Sequence, residues 1–408
     1  LRTANTIKSR ITGAVLIAML LGVAASASAQ SFQDNFDSYA PDSSNVGQGY
    51  WLDWAGGTDL TAGGFIRGDP AFSPGNSLEI GEVGRDVDPV WTFSGVTSGK
   101  WAFSAMAYVP AASTAGTSFL NFMSAFPEPY EWMNNIGIDL AADLVRDSAG
   151  GVTEPLVRDA WIKINAEMDL DAQTIKTYYN GAVLNSGTWG GTKEIAGIDF
   201  WSPAETAPVY YDDLLFAPAI NRRFTWDGDA GDWADLHDAT NSHWIESVAG
   251  VITPEIPAFD PGVMIGDEVV VGSGAVTVNV DQSAYSLTIA DGSVTIGPGA
   301  TLRIHDATVV TQPGALAIDG ALETNSIAND VGATSLGAGA TLKTVSGALA
   351  SINAAGDATF DGGATATALV LAPGSTFAKA GAGALDVSGA GAIDASNTIR
   401  IDGGELRL

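Results

Sequence analysis

The stretch Val209-Tyr210-Tyr211-Asp212-Asp213-Leu214-Leu215-Phe216 reads as a β-strand, because aromatic and branched residues suit a pleated surface. Two adjacent carboxylates interrupt it. Strict alternation places Tyr210, Asp212, Leu214 and Phe216 on one face and Val209, Tyr211, Asp213 and Leu215 on the other, so both faces look largely apolar and one carboxylate points each way. A carboxylate on a buried face needs a cation, a partner or several hydrogen bonds, because desolvating it alone is costly. The stretch also stands where the text of the chain changes character.

Before it, short apolar or alternating runs recur between Gly, Pro, Asn and Asp clusters: Phe32 to Phe36, Ser77 to Ile80, Val90 to Phe93, Lys100 to Val109, Ser118 to Phe122, Asn135 to Leu140 and Trp161 to Leu170. In the last, Ile162, Ile164, Ala166, Met168 and Leu170 alternate with Lys163, Asn165, Glu167 and Asp169, the pattern of a half-buried strand. Thr174 to Tyr179 follows, and then Asn180-Gly181, which predicts a tight hairpin into Ala182-Val183-Leu184 because both turn positions tolerate positive φ. Many strands without a helical pattern predict a two-sheet sandwich over residues 30–217.

After it, aromatic residues thin out. All 11 tryptophans and all but one of the 9 tyrosines precede residue 245. Beyond a linker and lead-in segment at 218–265, Ser286-Leu287-Thr288-Ile289, Ser293-Val294-Thr295-Ile296, Thr301-Leu302-Arg303-Ile304 and Ala315-Leu316-Ala317-Ile318 recur about every eight residues between Gly, Asp or Pro. Three such strands make a coil of about 22 residues, which predicts a parallel β-helix over 266–408. The last run, Gly404 to Leu408, falls in mid-rhythm, so the repeats are expected either to continue past it or to end on a poorly formed cap.

Acidic residues outnumber basic ones 47 to 18, a net charge of -29. That excess argues against nucleic acid and against anionic lipid as partners. The chain has no cysteine, which excludes disulfides and thiol chemistry. Arg2, Lys8 and Arg10 precede an apolar run from Ile11 to Ala25 and then Ala27-Ser28-Ala29, the pattern of a cleaved signal peptide at 1–29. The run is shorter than the roughly 20 residues that span a bilayer, so the mature chain is expected to begin at Gln30, to be exported to the medium or the cell surface, and to hold no membrane span.

Trp161-Ile162-Lys163-Ile164, Met168-Asp169-Leu170-Asp171, Tyr178-Tyr179-Asn180-Gly181, Tyr210-Tyr211-Asp212-Asp213-Leu214 and Phe36-Asp37-Ser38-Tyr39 together resemble concanavalin A-like jelly-roll domains of the laminin-G and lectin/glucanase type. The run from Trp226-Asp227-Gly228 to Trp244, with the repeats behind it, resembles the passenger modules of autotransporters. The first resemblance implies that the first and last strands of the sandwich lie side by side, bringing Asp34 and Asp37 to Asp212 and Asp213 as ligands of a structural calcium ion, which takes six to eight oxygen ligands. It also implies a carbohydrate ligand. Trp51, Trp54, Tyr130 and Trp132 lie in loop-like text and are the candidates for stacking on sugar rings.

Glu167, Asp169 and Asp171 invite comparison with the acid motif of laminarinase-like glycoside hydrolases, which need two carboxyls about 5 to 5.5 Å apart. A solvated strand face is the preferred reading, since the third acid is Asp at a turn, and no catalytic residue is assigned. The run Asp227, Asp229, Gly231, Asp232 and Asp238 departs from a calcium loop at its glycine and its last ligand, Arg67-Gly68-Asp69 is discounted as a chance tripeptide, and His237, His243 and His305 lack metal-ligand spacing. The expectation is a non-enzymatic exported protein with a jelly-roll recognition module on a β-helical stalk. An extracellular polysaccharide-degrading enzyme and a purely structural adhesin-like fibre stay open as alternatives.

Overall fold

The computed structural model describes residues 31–147, 152–226, 228–234, 243–246, 251–252, 257–260, 264–311, 313–389 and 391–408. The expected signal peptide, Asp227, His237 and Asp238 lie outside them. The chain is all-β, with two antiparallel sheets in its first part and a parallel solenoid of about seven turns in its second.

Strand Val209–Pro218 sits in the middle of the first sheet, between Lys100–Tyr108 and Ser77–Ile80, with Phe32–Asp34 paired along its second half. Its alternation is broken. Val209 and Tyr211 face the core, and so do Leu214 and Phe216, because the register against Lys100–Tyr108 shifts between Asp212 and Leu215 and Asp213 has φ of 46°. One extra residue in a bulged strand returns the apolar residues to the same face. The expected split of apolar residues between two faces is thereby corrected: the bulge absorbs the two carboxylates and leaves a single apolar face. The Asn180-Gly181 hairpin forms as predicted, with Tyr179 opposite Ala182 and φ of 50° and 79° at the turn.

The second sheet runs in the order Thr153–Pro155, Leu144–Asp147, Glu131–Asp139, Thr117–Ala125, Gly197–Trp201, Pro89–Thr92, Trp51–Asp53. One face packs on the first sheet around Trp51, Trp91, Phe103, Phe122, Phe200, Tyr211 and Phe216, all fully buried. Aromatic side chains of this size dominate the burial term in a sandwich core.

Only Ala219 separates Val209–Pro218 from Ile220–Trp226, which already pairs parallel with Ile265–Val271 of the solenoid. Val269 then pairs with Leu287, Leu302 with Leu322 and Phe377 with Ile399, so successive coils are offset by 18 to 22 residues. Inward positions stack as ladders. One runs Leu302, Leu322, Leu342, Phe360 and Lys379. Lys379 is 0% exposed, and its Nζ donates to the carbonyls of Ala380 (2.5 Å), Gly381 (3.3 Å) and Gly403 (3.5 Å). Burial lowers its pKa below the ordinary lysine value, as expected where the charged form loses water. At Gly362, φ is 121° and a Cβ would lie 1.7 Å from the Thr344 carbonyl oxygen, so only glycine fits this turn.

The two domains share a seam. Ala102 and Tyr178 of the first sheet pack with Ala219, Met264 and Tyr285. Beside them His305 Nε2 meets Glu167 Oε1 at 2.5 Å, the Tyr178 hydroxyl donates to Glu167, and Lys100 pairs with Asp306. The His305 ring stacks on Phe259 at 4.2 Å.

Candidate functional site: a cleft on the outer face of the second sheet

Alternation in the second sheet turns Ile198, Phe200, Leu120, Phe122, Ile136 and Ile138 into the core. The residues between them therefore face outward. Asp199 lies opposite Asn121, and Asn121 opposite Asn135, so three polar side chains from three neighbouring strands form one in-register row. The Asn135 amide donates to Asn121 Oδ1, and the Asn121 amide donates to Asp199 Oδ2 at 2.6 Å. The hydrogen bonds all run toward Asp199.

Aromatic rings flank this row. Trp201 stacks on Phe119 at 4.8 Å and 17°. On the other side Trp54 stacks between Tyr130 (4.3 Å, 21°) and Trp132 (5.6 Å, 11°). The Trp54 turn is built by Asp53, whose two carboxylate oxygens accept from Gly57 N (2.9 Å) and Asp59 N (2.7 Å), and the Tyr130 hydroxyl donates to the Trp54 carbonyl at 3.3 Å. Trp132 remains 47% exposed. Trp54, Trp132 and Trp201, the polar row and Asp88 line an open cleft of about 760 Å³.

At its floor Asp199 is 1% exposed and lies within hydrogen-bonding reach of the Asp88 carboxyl. Burial pushes Asp88 up to about 6, aided by the charges of Asp86 and Asp53. Burial, then the Asp88 charge, raises Asp199 well above the ordinary carboxylate value. Two acceptor-only groups in contact must share a proton or a cation, so the pair titrates as a unit.

Of the four aromatic candidates, Trp54, Tyr130 and Trp132 are brought together here. Trp51 is not: it is 1% exposed, packs against Trp91 at 6.1 Å, and donates from Nε1 to Asp34. Alternation in Trp51–Asp53 turns it inward, which removes it from the ligand candidates. Asp88, Asn121, Asn135, Asp199 and Trp201 escaped the sequence reading. For Asn121 and Asp199 the signal was a polar residue inside an apolar run, Phe119-Leu120-Asn121-Phe122 and Ile198-Asp199-Phe200-Trp201.

The other acidic candidates hold loops. Asp34 Oδ2 accepts from the Tyr39 hydroxyl (2.6 Å) and Trp51 Nε1 (2.8 Å), and its Oδ1 accepts from Phe36 N. Asp37 accepts from Asn76 N. Asp212, fully buried, accepts from the amides of Phe72 (2.8 Å), Ser73 (3.1 Å) and Asp213 (2.7 Å), and burial still pushes it up to about 6. Asp213 shares only the lining of a separate cleft with Asp34. Asp34, Asp37 and Asp212 each accept from protein donors, and among the described residues no three acidic or histidine side chains converge on one point.

Glu167 faces the solenoid across the domain seam. Burial opposes its ionisation, but His305, Tyr178 and Lys176 outweigh that and hold its pKa below the ordinary value. Asp171 accepts from Gly99 N at 3.2 Å.

No family model matches the chain, and no curated protein matches its sequence. Among solved structures it is similar to a sialidase (10% identity, 47% of this chain and 19% of that one, TM-score 0.34). It is also similar to the carbohydrate-binding module CBM66 from Bacillus subtilis (15% identity, 43% of this chain and 99% of that one, TM-score 0.28). A third is the catalytic domain of a glycoside hydrolase family 131 protein from Coprinopsis cinerea (11% identity, 45% and 91%, TM-score 0.32). The chain spans about a fifth of the sialidase's length.

Proposed function

We propose that this is an exported, non-catalytic glycan-recognition protein whose sandwich binds carbohydrate in the outer cleft and whose solenoid serves as a stalk. The observation that carries the reading is the pairing of flat tryptophan faces, Trp132 and Trp201, with the polar row Asp199-Asn121-Asn135 between them. Sugar rings offer the complementary surfaces: an apolar C–H face for stacking and hydroxyls that both donate and accept. Export rests on the basic and apolar N-terminal segment with its Ala27-Ser28-Ala29 site.

A binding role fits the acid pair better than glycoside hydrolysis does. Carboxyls in direct contact are closer than the roughly 5 to 5.5 Å of a retaining enzyme or the 6.5–9.5 Å of an inverting one, and leave no room for the bond to be cut. The test uses the full chain recovered from culture medium, where export predicts an N-terminus at Gln30. A glycan array should show selective retention, and Trp132→Ala should weaken the retained glycan at least about tenfold, or 1.4 kcal/mol, with an unchanged melting temperature because Trp132 is surface-exposed. Uniform failure to bind, or indifference to Trp132→Ala, would sink the reading. Release of reducing ends dependent on Asp199 would overturn its non-catalytic part.

A further inference from the structure

We propose that the ligand of this cleft carries a protonated amine, and specifically that it is an amino sugar with a free ammonium group seated between Asp88 and Asp199. The inference rests on the glycan reading and narrows it. No protein donor reaches Oδ1 of either carboxyl, although both atoms are buried. Asp199 receives its one amide on Oδ2. The two carboxyls thus meet on the floor of an open cleft with a shared proton as the link between them. The described lining of the cleft contains these two carboxyls and no basic side chain, so the protein supplies no counter-charge.

An ammonium group supplies it. It brings three N–H donors and no acceptor, so in place of the shared proton it can bridge the two carboxylates and keep a third bond for water or the ligand itself. The neighbouring tryptophan faces favour a cation as well, because the ring quadrupole attracts positive charge. An acidic sugar meets the opposite conditions: its carboxylate would enter a buried acidic site with no cation to pair with it, inside a chain of net charge -29. A fully N-acetylated sugar would fill the cleft but leave the acid pair unrelieved.

Titration calorimetry of the full chain with glucosamine oligosaccharides, their N-acetylated counterparts and a uronic-acid oligosaccharide of equal length decides the matter. The free-amine series should bind at least tenfold tighter than the N-acetylated one, and the uronate weakest. Asp88→Asn, which changes a half-buried side chain, should bring the free-amine and N-acetylated affinities within threefold of each other, and Asp199→Asn should do the same if its melting curve shows it folded. Equal affinities in the unaltered protein overturn this inference and leave glycan recognition standing. Absence of any Trp132-dependent binding removes both. Calcium chloride alone serves as a control, and a calcium-induced rise in melting temperature abolished by Asp88→Asn would overturn the inference in favour of a metal between the same oxygens.

Discussion

Asp88 and Asp212 show at the level of single residues what a buried carboxylate does to stability. Each is held at about 6 in the fold, with burial as the largest cause, against an ordinary value near 4. The sign follows from proton counting: between about pH 4 and 6 the folded state binds more protons than the unfolded one, so stability falls as pH rises. The penalty is absent below the unfolded value and complete above the folded one, at up to about 3 kcal/mol for a two-unit shift. Asp88→Asn removes that penalty together with the charge that raises Asp199, so the change it reads is that of the pair. Urea unfolding should show the variant gaining about 1–2 kcal/mol at pH 8 and nothing at pH 4. A gain of equal size at both pH values would refute this account. Asp212 is the poorer target, since its three backbone donors require an acceptor on both oxygens.

At the scale of elements, strand Trp161–Asp169 illustrates how one strand can be read correctly and still be misassigned a neighbour. Its alternation was legible, Glu167 does lie on its polar side, and the structure adds its pairing with Thr174–Tyr179. That side faces the solenoid, where His305 and Tyr178 engage Glu167. No local pattern couples residues 138 positions apart. Because Glu167 is held below its ordinary pKa, its contribution is present above the unfolded value and is lost as pH falls through the folded one. Glu167→Gln removes a charged partner from a largely buried contact and should weaken the domain seam by about 1–3 kcal/mol at neutral pH, read as a lower first transition in calorimetry. Glycan affinity should not change. An unaltered calorimetric trace would show that the seam does not depend on this pair.

For the whole molecule, the decisive fact is that burial is divided. The sandwich and the solenoid have separate large cores, joined by five buried side chains at the seam. A solenoid gains its stability rung by rung from nearest neighbours, whereas a sandwich unfolds as a unit. Phe360 is fully buried in the ladder between Leu342 and Lys379. Phe360→Ala should cost about 3–5 kcal/mol and shift the solenoid transition alone, with the sandwich transition and cleft binding unmoved. A single transition displaced as a whole would mean that the two domains fold as one body. Lys379 makes the same point about surfaces and cores: in the sequence it reads as one of a few scattered cations, yet it is buried in an apolar ladder and donates to three carbonyls. The register that stacks it under Phe360 is a property of the coil.

The sequence by itself determined the all-β class, the change from antiparallel sandwich to parallel solenoid and the Asn180-Gly181 hairpin. These rest on local periodicity and turn chemistry, which neighbouring residues specify. Only the tertiary structure decided that Asp212 and Asp213 form a bulge in the central strand and not a face-splitting pair, that Trp51 is core, and that Asp88, Asp199, Asn121 and Asn135 share one cleft. Those outcomes depend on strand register, on which face of a sheet meets the core, and on contacts between distant segments. A one-residue shift in pairing reverses all of them, and no single strand carries the information that sets it.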